Sequence, residues 1–379
     1  MKSLHFSNFN TVNVPLTFCK IYEAMGHSGR LLTLYKHRGN VPEDICLNKR
    51  IFNPAWLKKL RYKREKQAER LIADAAAHGK EWEFKPGSML ENVFFRVRDN
   101  WRAAEFNRLA ATYGLYDFDI YHFHGGNDFF RDCRWVKKLA FLSKPIICHY
   151  HGPDLRSRGM IREIHAASNL NLTSEFDLLS LYPDLHYLPI PYDCSHLPDS
   201  TTPGKKIRII HTPSNPDAKG THLIEPVLQR IAKVRDIEYR ILTGVSNDRV
   251  IEEKKRSHIA IEQIGNFGGT GYGVNSLETL AMNIPTLTEF TPDYARFLTN
   301  HPFVLVTKDT LDQTLLRLID DEEYRKRAGA MGRQWVEKNH SFINVWNTML
   351  CYLDEAVPEV AATLRTEASK ILPNNEPRV

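Results

Sequence analysis

Short apolar runs closed by Gly, Pro, Asn or Asp alternate along most of the chain with longer stretches whose apolar positions recur at helical spacing. Residues 4–7 predict a first strand, 16–25 a helix and 31–35 a second strand. This βαβ opening puts the polar loop from Asn8 to Asn13 at the carboxyl end of the first strand, where open α/β sheets hold ligands. Strands over 118–124 and 145–151 follow, then short strands and turns over 168–173 and 187–191. A second alternation starts at Ile207, with strands over 207–212, 237–243, 258–263 and 303–306. Its helices are predicted over 221–234 and 247–257, from about Asn275, and over 309–319 and 322–338. Thr221 reads as the cap of its helix, with Pro226 near the first turn. Residues 341–360 read as a closing helix with Phe342, Val345, Trp346, Leu350 and Leu353 at helical spacing, and 361–379 as a tail.

Two such alternations in 379 residues imply two domains, because a single core rarely grows past roughly 250–300 residues. The Pro-, Ser-, Thr- and Gly-rich segment 195–205 reads as the linker dividing 1–195 from 206–340. Residues 48–112 interrupt the first alternation as an insertion. Within it Trp56, Leu57 and Leu60 sit among Lys58, Lys59, Arg61, Lys63, Arg64 and Lys66, with Tyr62 interleaved. Residues 56–70 therefore read either as a cationic helix packed through one stripe or as a helix that lies on an anionic membrane surface. Residues 82–84 and 93–101 add aromatic and arginine side chains expected at the surface.

Composition narrows the setting. A chain that is 42% hydrophobic and 25% charged is globular, and its formal charge of 51 − 45 = +6 is a mild basic excess. No nucleic-acid partner is expected. The first residues lack an apolar leader, and no run approaches the ~18 apolar residues of a membrane span. Six cysteines without Cys-x-x-Cys spacing fit a reducing cytosol better than a disulfide framework or a zinc knuckle. The expected location is cytoplasmic, with residues 56–70 offering peripheral attachment to the inner face of a membrane.

The chemistry concentrates in IGNFGGTGYGVNSLETLAMNIPTLTEF, residues 264–290. Gly268, Gly269, Gly271 and Gly273 run into a helix, which leaves backbone amides at a helix N-terminus beside flexible loop, a ready anion site. Glu278, placed in the first turn, would reach hydroxyls on whatever carries that anion, a combination that suggests a nucleotide sugar. Asn275-x-x-Glu278 also spells a capping box, in which the carboxylate bonds backbone and no ligand. Lys219-Gly220 stands at another strand-to-helix junction of the same domain, where a cation meets phosphates already held by amides.

Two strands of the first domain end in His followed by Gly, at His124-Gly125 and His151-Gly152, so two imidazoles are expected to point toward one cleft. His122 and His149 repeat the pattern two residues earlier. His-x-His twice invites a metal site, because alternate strand residues share a face. His122 and His149 lie deep in apolar strands, however, and no carboxylate cluster completes a ligand set. Core histidines are the favoured reading, and no metal or other cofactor is predicted. Asp117-x-Asp119 precedes its strand and reads as a turn.

His151-Gly152-Pro153-Asp154, Leu188-Pro189-Ile190-Pro191-Tyr192-Asp193, Lys219-Gly220, Gly271-Tyr272-Gly273, the run from Leu277 to Pro285 and His340-Ser341-Phe342 follow in order. In that order they resemble the family-4 retaining glycosyltransferases over nearly the whole chain outside the insertion. The resemblance implies an α/β chain of GT-B fold: two Rossmann-like domains facing across a cleft, with a C-terminal helix crossing back to the first. It implies a hexosyltransferase that moves sugar from a nucleotide-diphosphate donor to a glycan or lipid-linked acceptor with retention and without metal, the nucleotide sugar being substrate rather than cofactor. It further implies that Lys219 neutralises the donor diphosphate, Glu278 binds ribose hydroxyls and His151 approaches the transferred sugar. Ser214, Asn215, Gly271, Tyr272, Gly273, Val274, Asn275 and Ser276 would then surround the donor, with Asn8, Asn13, His124, Gly125 and Gly152 on the acceptor side. Two positions depart from the family pattern. Thr270 stands where a glutamate is usual, eight residues before Glu278, and the loop before Lys219 carries Ser214 and Asn215 but no arginine. These departures keep open a relative that binds nucleotide sugars or glycans without turning them over.

Overall fold

The computed structural model describes residues 1–37, 42–49, 55, 59, 62, 67, 68, 70–72, 75, 77, 80–85, 88–199, 204–265, 267 and 271–371. The chain forms two compact units, Met1–Leu188 with Trp346–Val379 and Pro189–Val345. The division falls before Pro189. Cys194 and Leu197 on the following segment are buried in the core of the second unit.

In the first unit seven parallel strands, β1 Lys2–Ser7, β2 Ser28–Thr33, β3 Ile45–Cys46, β4 Ile120–His124, β5 Ile146–Tyr150, β6 Leu170–Thr173 and β7 His186–Tyr187, lie in the order β3-β2-β1-β4-β5-β6-β7. Every residue of β4 and β5 is buried, as a parallel sheet covered on both faces requires. The chain moves outward from β1 to β3 and then returns to the other side at β4, so the topological switch point lies between β1 and β4. The loops 8–13 and 125–128 leave the sheet there.

Within the insertion, a 25-residue helix Met89–Tyr113 starts at Ser88, whose Oγ accepts the Glu91 amide at 3.1 Å, and stops at Gly114 in the left-handed region. Phe95 and Phe106 turn inward, while Met89, Leu90, Val93, Val97 and Trp101 form an exposed apolar ridge on the opposite face. Trp82, expected at the surface, is instead buried, and Tyr182 donates a hydrogen bond to its carbonyl at 2.9 Å. Of the basic segment, Lys59 and Tyr62 are exposed and Ala68 is buried. Trp56, Leu57, Lys58, Leu60, Arg61, Lys63, Arg64 and Lys66 lie outside the described residues. No described helix is long and apolar enough to cross a membrane.

The second unit repeats the plan with five parallel strands, β8 Ile207–His211, β9 Ile237–Ile241, β10 Ile259–Gln263, β11 Thr286–Thr288 and β12 Val304–Leu305, in the order β12-β11-β10-β8-β9. Its switch point lies between β8 and β10. Three readings of this half are corrected. The helix after β8 is capped by Gly220 at φ 65°, not by Thr221, and Pro226 sits inside that helix beyond its first turn. The helix predicted over 322–338 is two, Glu322–Gly329 and Gly332–His340. They hinge between two glycines that press on backbone: a Cβ on Gly329 would lie 2.0 Å from the Asn283 carbonyl oxygen, and one on Gly332 would lie 2.4 Å from that of Leu280.

The closing helix Phe342–Ala356 is followed by a second, Pro358–Ile371, where a tail was expected from residue 361. Val360, Ala361 and Leu364 bury a narrow stripe whose small residues give a weak periodic signal. From Trp346 onward the chain belongs to the first unit. The Trp346 ring packs edge-on against Tyr22 at 5.1 Å, and Tyr352 donates to the Tyr187 carbonyl at 2.9 Å.

Candidate functional site

The two loops at the second switch point are those after β8 and β10, and the chemistry-bearing residues converge there. Lys219 ends the first loop. Its amide bonds the Asn215 carbonyl at 3.1 Å, and its own carbonyl accepts from Ile264 at 3.3 Å, just past β10. The next residue must be glycine: at φ 65° a Cβ on Gly220 would meet the Ile264 carbonyl oxygen at 1.9 Å. Backbone contact thus fixes Lys219 beside the carboxyl end of β10. Its Nζ donates to Glu262 Oε1 at 2.6 Å and to Gln263 Oε1 at 3.1 Å.

Glu262 joins the two loops to the glycine-rich helix, and the sequence reading did not single it out. The carboxylate is buried; its other oxygen accepts Asn275 Nδ2 at 2.8 Å and Ser276 Oγ at 2.6 Å. Burial pushes its carboxyl pKa up. The Lys219 charge and the hydrogen bonds from Lys219, Ser276 and Asn275 outweigh that, holding it below the ordinary glutamate range.

The helix Val274–Ala281 begins at Gly273, whose backbone is extended and which makes no side-chain cap. The capping box is therefore not formed. Asn275 lies in the first turn and Glu278 in the second, because the helix starts one residue earlier than expected. Glu278 is buried and bonded to Lys254 Nζ at 2.5 Å, and the lysine also donates to Asn275 Oδ1 at 2.5 Å and to its carbonyl at 3.0 Å. Thr212 at the end of β8 adds a hydroxyl hydrogen bond to the same Asn275 Oδ1. Lys254 and Thr212 were missed. Lys254 ends the helix Asn247–Lys254, and only its full burial, beside a carboxylate distant in sequence, marks it.

Of the remaining residues expected at the donor, Gly271 adopts φ 92° and packs where a Cβ would meet the Phe290 and Tyr294 rings at 2.5 Å. The Tyr272 ring is engaged by the protein itself, 6.1 Å from Tyr294, 5.2 Å from Phe303 and 5.7 Å from Trp335. Ser214 and Asn215 are exposed, and Asn215 Oδ1 accepts the amides of Asp217 and Ala218 at 3.2 and 3.4 Å. Gly268, Gly269 and Thr270 lie outside the described residues.

His340 closes the aromatic cluster around Tyr272. Its Nδ1 bonds the Ile190 carbonyl at 2.7 Å and its Nε2 the Tyr272 hydroxyl at 3.3 Å. Burial, opposed by the Ile190 hydrogen bond, pushes its pKa down from 6.5 to about 4. Below pH 6.5 the unfolded chain takes a proton that the folded one refuses. Stability is thus full above pH 6.5 and falls as pH drops toward 4, by up to about 3 kcal/mol. Urea titrations across that range should show His340→Gln losing this part of the acid sensitivity; an unchanged profile would refute the assignment.

In the first unit, Asn10 ties the loop at the switch point: its Nδ2 donates to Asn13 Oδ1 at 2.9 Å and to the Pro42 carbonyl at 2.7 Å. Asn13 adopts φ 62°, and Asn8 and Asn13 are partly exposed. His151 is partly exposed. Its amide donates to Asp154 Oδ2 at 3.0 Å, and its Nε2 has no partner among the described residues. Gly125, at φ 77°, lies beneath Arg158, which donates to its carbonyl at 2.9 Å. Gly152 is held where a Cβ would strike the Arg156 guanidinium. His124, expected at the cleft edge, is instead fully buried, because its strand face is covered by the helix Val14–Ala24.

No family model matches the sequence, and no curated protein matches it. Among solved structures the chain is similar to the apo structure of OtsA, with 10% identity over 94% of this chain and 99% of that one and a TM-score of 0.59. It is similar to an α-glucosyltransferase in complex with UDP and a 13-mer DNA containing an HMU base, with 9% identity over 93% and 99% and a TM-score of 0.56. Anabaena HepE in complex with UDP and glucose gives 10% identity over 97% and 100% and a TM-score of 0.53. At these identities the likeness establishes the fold, which is GT-B.

Proposed function

We propose that the chain is a hexosyltransferase moving a sugar from a nucleoside-diphosphate donor to a hydroxyl of a glycan or lipid-linked acceptor, with retention of configuration. The observation that carries this reading is the connected set Lys219, Glu262, Asn275, Ser276, Lys254 and Glu278 at the carboxyl ends of β8 and β10. A lysine ammonium has three donors, and among the described residues two go to Glu262 and Gln263, which leaves one for a phosphate oxygen. As the bond from anomeric carbon to phosphate oxygen breaks, negative charge develops on the leaving diphosphate. Lys219 and the N-terminus of the helix Val274–Ala281 are preorganised to receive it. The acceptor oxygen attacks from the same face, and its proton passes to the departing phosphate. In this reading Glu278 accepts from ribose hydroxyls with the carboxylate oxygen not bonded to Lys254.

A second reading, a relative that binds the donor without turnover, is favoured by the 2.6 Å contact with Glu262, which offsets much of the Lys219 charge. A thermal-shift panel of uridine, guanosine and adenosine diphosphates with a donor-hydrolysis assay separates the two. One diphosphate is expected to raise Tm and one cognate nucleotide sugar to release it. A shift without release supports the second reading, and no shift with any of the three sinks both.

The exposed ridge of Met89, Val93, Val97 and Trp101 supports peripheral attachment to a membrane carrying the acceptor. Val97→Glu with Trp101→Glu is expected to weaken sedimentation with anionic vesicles; unchanged binding removes the ridge from the proposal.

A further inference from the structure

Five histidines share one face of the first sheet. The strand register sets His5 beside His122 and His124 beside His149, and His151 follows His149 by two residues. Phe18 of the covering helix packs on them, its ring 5.0 Å from that of His122, 5.6 Å from His124 and 5.3 Å from His149. The face supplies few hydrogen-bond partners. Both ring nitrogens of His122 and the Nδ1 of His124 are buried with none among the described residues, an unusual density of unmet polar atoms.

Nitrogens of three of these rings lie close together. One nitrogen from each of His5, His122 and His124 lies within 4.8 Å of one from each of the others. His5 Nδ1 and His124 Nε2 share a hydrogen bond of 3.2 Å, a spacing also close to the ~3.4 Å that separates two ligands of a tetrahedral ion bound at about 2.0–2.1 Å. Ser3 settles the state of His5. Its hydroxyl donates to the Ser28 carbonyl at 3.2 Å, so at 3.1 Å it accepts the proton of His5 Nε2, leaving Nδ1 with its lone pair turned toward His124. An orienting hydrogen bond on the far nitrogen is the usual companion of a histidine ligand.

We propose that His5, His122 and His124 bind a closed-shell late transition-metal ion, zinc(II) or copper(I). Imidazole suits both ions, and neither imposes a ligand-field geometry on a site whose rotamers are fixed by packing. Three neutral ligands without a carboxylate leave copper(I) the smaller buried charge, whereas zinc would bring a hydroxide as its fourth ligand. The ion would clamp β1 to β4, the two strands flanking the first switch point. The His124 ring lies 5.9 Å from that of His151 and 5° from parallel to it, so the clamp would also fix the base on which His151 rests.

The test uses the full chain, dialysed against EDTA and reloaded with Zn²⁺, or with Cu⁺ under anaerobic reduction, then desalted and assayed for metal. About one ion per chain is expected from one of the two arms. Co²⁺ in place of zinc should give intense visible bands of low coordination from the wild-type chain, a readout that needs no variant. His122→Phe should abolish retention, and His165→Gln, in the separate group of Glu81, His165 and Asp184, should leave it unchanged. Wild-type protein that retains neither ion overturns the proposal, as does an ion that survives His122→Phe or is lost with His165→Gln.

Discussion

Lys219→Ala is expected to lower sugar transfer about 10²-fold to 10³-fold, the scale for removing one preorganised group that meets developing charge. It should also destabilise the second unit by about 3–5 kcal/mol, since the Glu262 carboxylate, with a side chain 1% exposed, is left without its cation. The two losses have different causes and can be separated. Glu262→Gln keeps an oxygen for Ser276 and removes the buried charge, so Lys219→Ala with Glu262→Gln should recover most of the urea midpoint of the wild type. Transfer should stay low in the double variant, because the phosphate still lacks its cation. Recovery of both stability and turnover would show that Lys219 serves only to neutralise Glu262, and the donor assignment would fail.

That double role explains what could and could not be read from the sequence. The alternating pattern is enough to place β1, β2, β4, β5, β8, β9, β10 and β12 near their observed positions, because a parallel sheet buried on both faces demands apolar runs, whereas the three-residue β11 gives too short a run to read. Lys219 stood out because glycine follows it at a strand-to-helix junction. Glu262 and Lys254 were illegible for the opposite reason. Each lies in an ordinary strand or helix, and its meaning comes only from partners such as Ser276 and Glu278, more than ten residues away. His124 misleads because a strand-end position suggests exposure, whereas the helix Val14–Ala24 covers that end. The break between Gly329 and Gly332 escaped because periodicity runs through it, and what requires the glycines is the carbonyls of Asn283 and Leu280.

Glu278 carries the second large effect. Its side chain is 5% exposed and that of Lys254 0%, so the pair is a buried ion pair before any ligand arrives. Glu278→Gln is expected to raise the donor KM about 10-fold to 100-fold, matching a hydrogen bond to a charged acceptor, with a smaller change in kcat. The same variant leaves the Lys254 ammonium with the Asn275 oxygens and should lose about 3–5 kcal/mol of stability. Lys254→Met with Glu278→Leu removes both charges in similar volume, a replacement that is often neutral or stabilising. Stability should therefore return while donor affinity does not. The comparison isolates the carboxylate as a ligand, because a purely structural pair would give a double variant that folds and binds the nucleotide as the wild type does. Donor binding at wild-type strength in that variant would remove Glu278 from the site and leave the ribose to the backbone at the start of the helix Val274–Ala281.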